Sequence, residues 1–129
     1  MKIFLIILIS FFSCSTENYK HLNNINSTNL TSIGDGGILV KLISVEDGRC
    51  PSNVGCVWGG NATIKILIVK SELISEERTI TTAGKYNEIS YEENSYSVKS
   101  LLPYPVRTKN YKLTDYSLIL NMYKNETSN

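Results

Sequence analysis

The sequence predicts an all-β domain, a two-layer antiparallel sandwich of six to seven strands, immunoglobulin-like or related. Two observations carry this. Asn61 to Val69 alternates, with Ala62, Ile64, Ile66 and Ile68 on one face and Thr63 and Lys65 on the other, the period of a half-buried strand. No stretch of the chain sustains a 3.6-residue period, while short β-branched or aromatic runs recur between turn residues over about ninety positions.

The elements follow in order. Ile38 to Val45 is β-branched and ends at Asp47-Gly48, a turn signal. Asn61 to Val69 is the clearest strand, and it becomes apolar on both faces at Leu67 and Val69. Glu77 to Thr82 is Thr-rich and half polar, and Ala83-Gly84-Lys85 turns the chain. Tyr86 to Tyr91 and Tyr96 to Leu101 flank Glu92-Glu93-Asn94-Ser95. Pro103 and Pro105 keep Leu102 to Asn110 out of a sheet interior, because proline has no N–H for the ladder. The length of that connection allows a crossover between sheets. Tyr116 to Tyr123 closes the domain, with Tyr116, Leu118, Leu120 and Met122 on one face.

Upstream of the domain the chain is of another kind. Lys2, an apolar run from Ile3 to Phe12, and Ser13 before Cys14 have the form of a secretory signal peptide. The run is shorter than the roughly 20 apolar residues a spanning helix needs. The cysteine directly after the small residue resembles a bacterial lipoprotein signal, which implies lipid on Cys14 as the first mature residue. An ordinary signal peptide cut elsewhere is the alternative. The expected organisation is a signal peptide at 1–13, the lipidated Cys14 with a flexible Asn- and Ser-rich tether at 14–34, the sandwich at 35–124 and a disordered tail at 125–129. The expected address is the cell envelope, by a lipid anchor in the outer membrane.

Charge restricts the partners. Loss of Lys2 takes 13 basic residues to 12, equal to the 12 acidic ones. A balanced chain has no electrostatic reason to bind nucleic acid, which rewards basic stripes, or to seek anionic lipid. The membrane would be reached through the N-terminal lipid, a two-chain anchor, and an envelope protein or glycan is the partner class that remains. Asn26, Asn29, Asn61 and Asn125 each begin an N-x-Ser/Thr sequon, which a bacterial lipoprotein signal reduces to a by-product of Asn-rich composition.

Three cysteines in an exported chain need an explanation. With lipid on Cys14, Cys50 and Cys56 remain, and two thiols in an oxidising compartment pair. Closing a loop of about seven residues contributes roughly 2.4 kcal/mol in the chain-entropy model. A zinc pair is the competing reading, but five residues separate the cysteines and the only histidine, His21, falls in the expected tether, whereas zinc cysteines sit two to four apart and need four ligands.

Around this pair the sequence has its most distinctive segment, Val45 to Gly60. Asp47, Arg49, Cys50, Pro51, Val54, Cys56, Trp58 and Gly60 form an Asp-x-Arg-Cys-Pro…Cys-x-Trp-x-Gly pattern. In this the chain resembles a group of small bacterial exported lipoproteins and β-domains of uncharacterised function. The resemblance implies an exported β-domain and no reaction.

Two roles fit the segment. In the structural one, the disulfide fixes a turn, Trp58 packs over it, and Asp47 pairs with Arg49. In the recognition one, a rigid loop presents Arg49, Trp58 and Asp47 to a partner, Trp and Arg being favoured hot-spot residues. An immunoglobulin comparison fails at this point, since its cysteines lie far apart and join two sheets.

Catalytic chemistry has no visible basis. There is no Gly-x-Ser-x-Gly, His-Glu-x-x-His or phosphate loop. Neighbours along a strand point to opposite faces, so the carboxylate pairs Glu46/Asp47, Glu76/Glu77 and Glu92/Glu93 read as solvated turns and edges. Calcium at Asp35 or at Glu46 and Asp47 lacks the spacing of a dedicated loop. Eight tyrosines suit strands as well as they suit an aromatic binding face. The expectation is therefore a non-enzymatic, cofactor-free envelope lipoprotein acting as a binding or structural module. The alternative is an inhibitor or immunity protein that inserts the Cys50–Cys56 loop into an exported enzyme.

Overall fold

The computed structural model describes residues 21–34, 38–57 and 59–124, with the side chains of His21, Leu22 and Lys124 left out. Residues 1–13, where a signal peptide is expected, Cys14, Asp35, Trp58 and residues 125–129, expected as a disordered tail, lie outside the described residues.

Eight strands are present: β1 (His21–Ile25), β2 (Thr31–Ile33), β3 (Ile38–Asp47), β4 (Ala62–Ser71), β5 (Ile74–Thr81), β6 (Glu88–Tyr91), β7 (Asn94–Leu102) and β8 (Ser117–Lys124). They form two antiparallel four-stranded sheets, ordered β2-β3-β4-β5 and β1-β8-β7-β6. The domain is a β-sandwich, and among the described residues a 3-10 turn at Leu113–Asp115 is its other element. Of the topologies the sequence allowed, this is a meander rather than the interleaved immunoglobulin order. From β2 to β5 and from β6 to β8, strands consecutive in sequence lie side by side, and β8 returns to pair with β1. Where the sheets meet, single backbone bonds join them, from Leu42 N–H to Asn26 O at 2.9 Å and from Thr81 N–H to Tyr86 O at 2.9 Å.

Alternation places the core. Ala62, Ile64, Ile66 and Ile68 are buried on the inner face of β4, opposite Leu118, Leu120 and Met122 of β8, with Tyr116 just before that strand. Ile38, Val40 and Leu42 fill the start of β3 in the same way.

Two bulges then shift the phase. The β3–β4 register slips between Leu42 and Ser44, which returns Val45 and Asp47 to the inner side. The β7–β8 register slips between Val98 and Ser100, so that Leu101 is buried although Tyr96 set the opposite parity. Both slips lie toward the same end of the sandwich, and re-aiming side chains is what such bulges do.

Two expectations need correction. The stretch expected as tether contains β1 and β2, and Asn23, Ile25 and Ile33 are 4%, 0% and 2% exposed. The domain therefore begins no later than His21. A short edge strand is held by its ladder to the neighbouring strand, which needs no visible hydrophobic alternation. Asn-rich composition instead suits the connecting turn, where Asn26 Oδ1 accepts from Thr28 N at 3.1 Å and Asn29 N at 2.9 Å. The connection after Leu102 is not a crossover either, because β7 and β8 pair within one sheet. It is a long excursion at one end of the sandwich.

Candidate functional site

At that end the segment after β3, Gly48 to Asn61, meets the proline connection 103–112. Cys50 and Cys56 form a disulfide, with Cα atoms 6.0 Å apart. The closed loop is bonded to the connection at two points. Ser52 N–H donates to Pro105 O at 3.0 Å, and Arg107 N–H donates to Asn53 Oδ1 at 3.0 Å. Gly48 and Gly60 let the segment leave and re-enter the sheet at close quarters. A Cβ on Gly60 would lie 1.8 Å from the carbonyl oxygen of Gly48, so only glycine fits there.

Asp47 and Arg49 sit beneath these loops with side chains 9% and 8% exposed. The guanidinium grips the carboxylate with two prongs, Nε to Oδ1 at 2.8 Å and Nη2 to Oδ2 at 2.7 Å. It also donates across to the other sheet, to Leu101 O at 2.7 Å and Pro103 O at 3.0 Å. These carbonyls are two residues apart on one side of the chain, so the guanidinium caps the end of β7 as a neighbouring strand would. Its face lies 4.9 Å from the Tyr104 ring centroid, within cation–π range. Tyr116 donates its hydroxyl to Asp47 Oδ2 at 3.1 Å and meets Tyr111 edge to face at 6.0 Å.

One ion pair therefore ties the end of β3 to the end of β7 and to the proline connection. Of the two roles read from the sequence, Asp47 and Arg49 take the structural one. They are not presented to solvent, because their hydrogen-bonding groups are occupied by each other, by Tyr116 and by backbone carbonyls. Trp58, the third candidate, lies outside the described residues. Its neighbours Cys56, Val57 and Gly59 are exposed, Val57 almost fully at 95%. The contributions of Tyr104, Tyr116, Leu101 and Pro103 were not legible in the sequence; backbone carbonyls have no sequence signature, Tyr116 read as an ordinary strand residue and Tyr104 as part of a connection.

The electrostatics follow from burial. Desolvation pushes the Asp47 carboxyl up, but the hydrogen bonds and charge of Arg49, with the Tyr116 hydroxyl, outweigh it and hold the group below the ordinary carboxylate value. Burial, then the charge of Asp47 and the bond to it, push the Tyr116 hydroxyl up to about 12. Its unfolded value is about 10. Between those values the folded protein keeps a proton that the unfolded chain loses. This contribution is complete below pH 10 and is lost as the pH rises toward 12. Tyr116→Phe is expected to lower stability by about 1–2 kcal/mol at pH 8, and the gap to the parent should narrow by pH 11.5. Urea midpoints at the two pH values check this, and a gap independent of pH would exclude the coupling.

Among the described residues the remaining ionisable groups form no convergent site. Glu76 pairs with Arg78 at 2.5 Å and Glu92 with Lys70 at 2.6 Å, all at the surface. Among the described residues no three of His, Cys, Asp and Glu are placed to hold a metal ion. A gap between the sheets, lined by Ile33, Val40, Ile66, Ile89 and Tyr96 among others, is apolar and has no room for a water molecule. Compared with known proteins, the chain matches no family model, no curated protein and no solved structure.

Proposed function

We propose that the chain is an exported, lipid-anchored, non-enzymatic module of the bacterial envelope that works by binding or scaffolding. The observation that carries this is the joining of Lys2, the apolar run and Cys14 to a domain with a disulfide, a bond suited to oxidising compartments. The resemblance in the Asp47 to Gly60 segment points the same way. Rigid loops at one end and a lipid at the N-terminus suit a protein that holds something near a membrane, since a pre-ordered loop loses less entropy on binding.

A second reading has its own support. Val57, 95% exposed beside the disulfide, is the kind of fixed apolar tip that an inhibitor or immunity protein inserts into an exported enzyme.

The test is intact mass of the protein from detergent-solubilised bacterial membranes, with thiol labelling before and after reduction. Expected are a diacylglycerol-type adduct at Cys14 and two labels that appear only after reduction. Reduction should also lower stability by about 2 kcal/mol. A mass without lipid, starting at another residue, would overturn the anchor.

A further inference from the structure

We propose that the loop end of the sandwich docks a polyanionic glycan strand through Arg107, Lys109 and Lys112, flanked by Tyr104 and Tyr111. Between Glu93 and Asp115 the sequence contains four cations, Lys99 and these three, and no carboxylate. Arg107, Lys109 and Lys112 are exposed, and among the described residues none has a carboxylate partner in an ion pair. Their backbone is nonetheless fixed. Arg107 N–H is bonded to Asn53, Lys109 N–H to Val106 O at 3.0 Å, and Lys112 N–H to Asp115 Oδ2 at 2.8 Å. Charges that pair within the protein are not free for a ligand; these three are, on a loop already ordered.

The charges are segregated along the strands. Lys85, on the β5–β6 connection, adds to the loop end, where Glu46, Asp115 and, at the start of β6, Glu88 are the exposed carboxylates. At the opposite end the β4–β5 and β6–β7 turns carry Glu72, Glu92 and Glu93 against Lys70, which Glu92 already neutralises, and Lys124, which pairs with Asn94 at the end of β8. The overall balance of charge conceals a basic pole and an acidic one.

Topology then says which way the basic pole faces, a step that rests on the anchored reading above. His21 pairs with Met122 and Ile25 with Leu118, while Leu102 pairs with Ser117 at the loop end. The chain thus enters the sandwich at the acidic pole. Cys14 is seven residues before His21, a reach of at most about 25 Å, and the ten residues of β4 extend about 33 Å toward the other pole. The anchor holds the acidic pole nearest the bilayer and presents the cations outward, away from the headgroups of its own membrane.

A glycan fits this surface better than a folded acidic protein. The cations lie on a projecting connection rather than around a cleft, and Tyr104, 52% exposed, and Tyr111 supply ring surface of the kind sugars stack on. Arg49 meets one face of Tyr104, and Tyr116 meets the half-buried Tyr111, so the rings add to the cations only by their outer surfaces. A flexible chain with repeated carboxylates is steered to them by the field.

The experiment uses the full chain in non-ionic detergent and immobilised polygalacturonate as the probe. Methyl-esterified polygalacturonate, poly-glutamate and phosphatidylglycerol vesicles serve as comparisons. Expected is salt-sensitive binding to polygalacturonate, weakened about tenfold or more by R107Q/K109Q/K112Q and by less than about twofold by K41Q/K65Q. Apart from the half-buried Lys41, these positions are exposed, and an unchanged urea midpoint shows that the variants fold. Equal weakening by both variants, or no binding, would overturn the proposal. Equal or tighter binding to poly-glutamate or to the vesicles would replace it with an acidic polypeptide or a lipid surface. The anchor is read separately by mass, so its failure leaves the glycan result standing and removes only the outward orientation.

Discussion

Arg49→Met is expected to lower stability by about 3–5 kcal/mol, the cost of breaking a buried ion pair by removing one partner. Against a total of about 5–15 kcal/mol for a domain, that is enough to unfold much of the protein at ambient temperature. The loss has three sources on the same guanidinium. The Asp47 carboxylate keeps its burial and loses its countercharge, and the carbonyls of Leu101 and Pro103 lose their donors. Asp47→Leu in the same chain should recover part of the loss, because the stranded charge is then gone.

The pH dependence separates this from lost packing. In the parent, Asp47 has a lowered folded pKa. Its contribution is present above the unfolded value of about 3.9 and is lost as the pH falls through the folded one. In Arg49→Met, burial acts without the opposing charge, so the folded pKa is raised and acid relieves the penalty. Urea midpoints at pH 7 and pH 3.5 should show the deficit shrinking as the pH falls. A deficit of the same size at both would mean that packing, not charge, was lost.

Gly60→Ala should be nearly as damaging, at about 3 kcal/mol or more, because the new methyl meets backbone rather than a side chain that can turn away. The carbonyl of Gly48 at 1.8 Å can be cleared only by parting the ends of β3 and β4, where Gly48 N–H donates to Asn61 O at 3.0 Å. Gly59→Ala is the control one residue away. A Cβ there meets nothing within 4 Å, so its cost should fall within about 0.5 kcal/mol. Equal thermal or urea midpoints for the two variants would show that the close approach does not constrain the fold. The Gly60 of the Cys-x-Trp-x-Gly pattern thereby acquires a physical reason independent of any partner.

The glycan proposal is compatible with both substitutions. The Arg49 clamp and the Gly48–Gly60 approach position the connection that carries the cations and the disulfide loop bonded to it, and neither Arg49 nor Gly60 is offered to a ligand. Variants that damage the clamp would weaken binding only by unfolding the end that presents it, which is why the surface triple variant is the better probe.

The sequence by itself determined the class of the fold, the faces of β4 and β8, and the partner of Cys50. Each is a local property. Strand alternation needs only neighbours two apart, and a disulfide between two cysteines in one short loop needs no distant contact. What lay in the tether region was hidden, because β1 owes its place to pairing with β8, about a hundred residues later, and a polar edge strand has no hydrophobic period to show.

The tertiary structure alone decided the role of Asp47 and Arg49. Without the slip between Leu42 and Ser44, Asp47 would keep the parity of Leu39 and Lys41 and face outward. Without the matching slip in β7, Leu101 would not turn inward beside it. The carbonyls that complete the cluster are 52 and 54 residues from Arg49 in the chain. A bulge shifts phase without altering composition, and a carbonyl belongs to every residue alike. The ion pair was therefore visible as a pair, and its position as the tie between two sheets was set by folding alone.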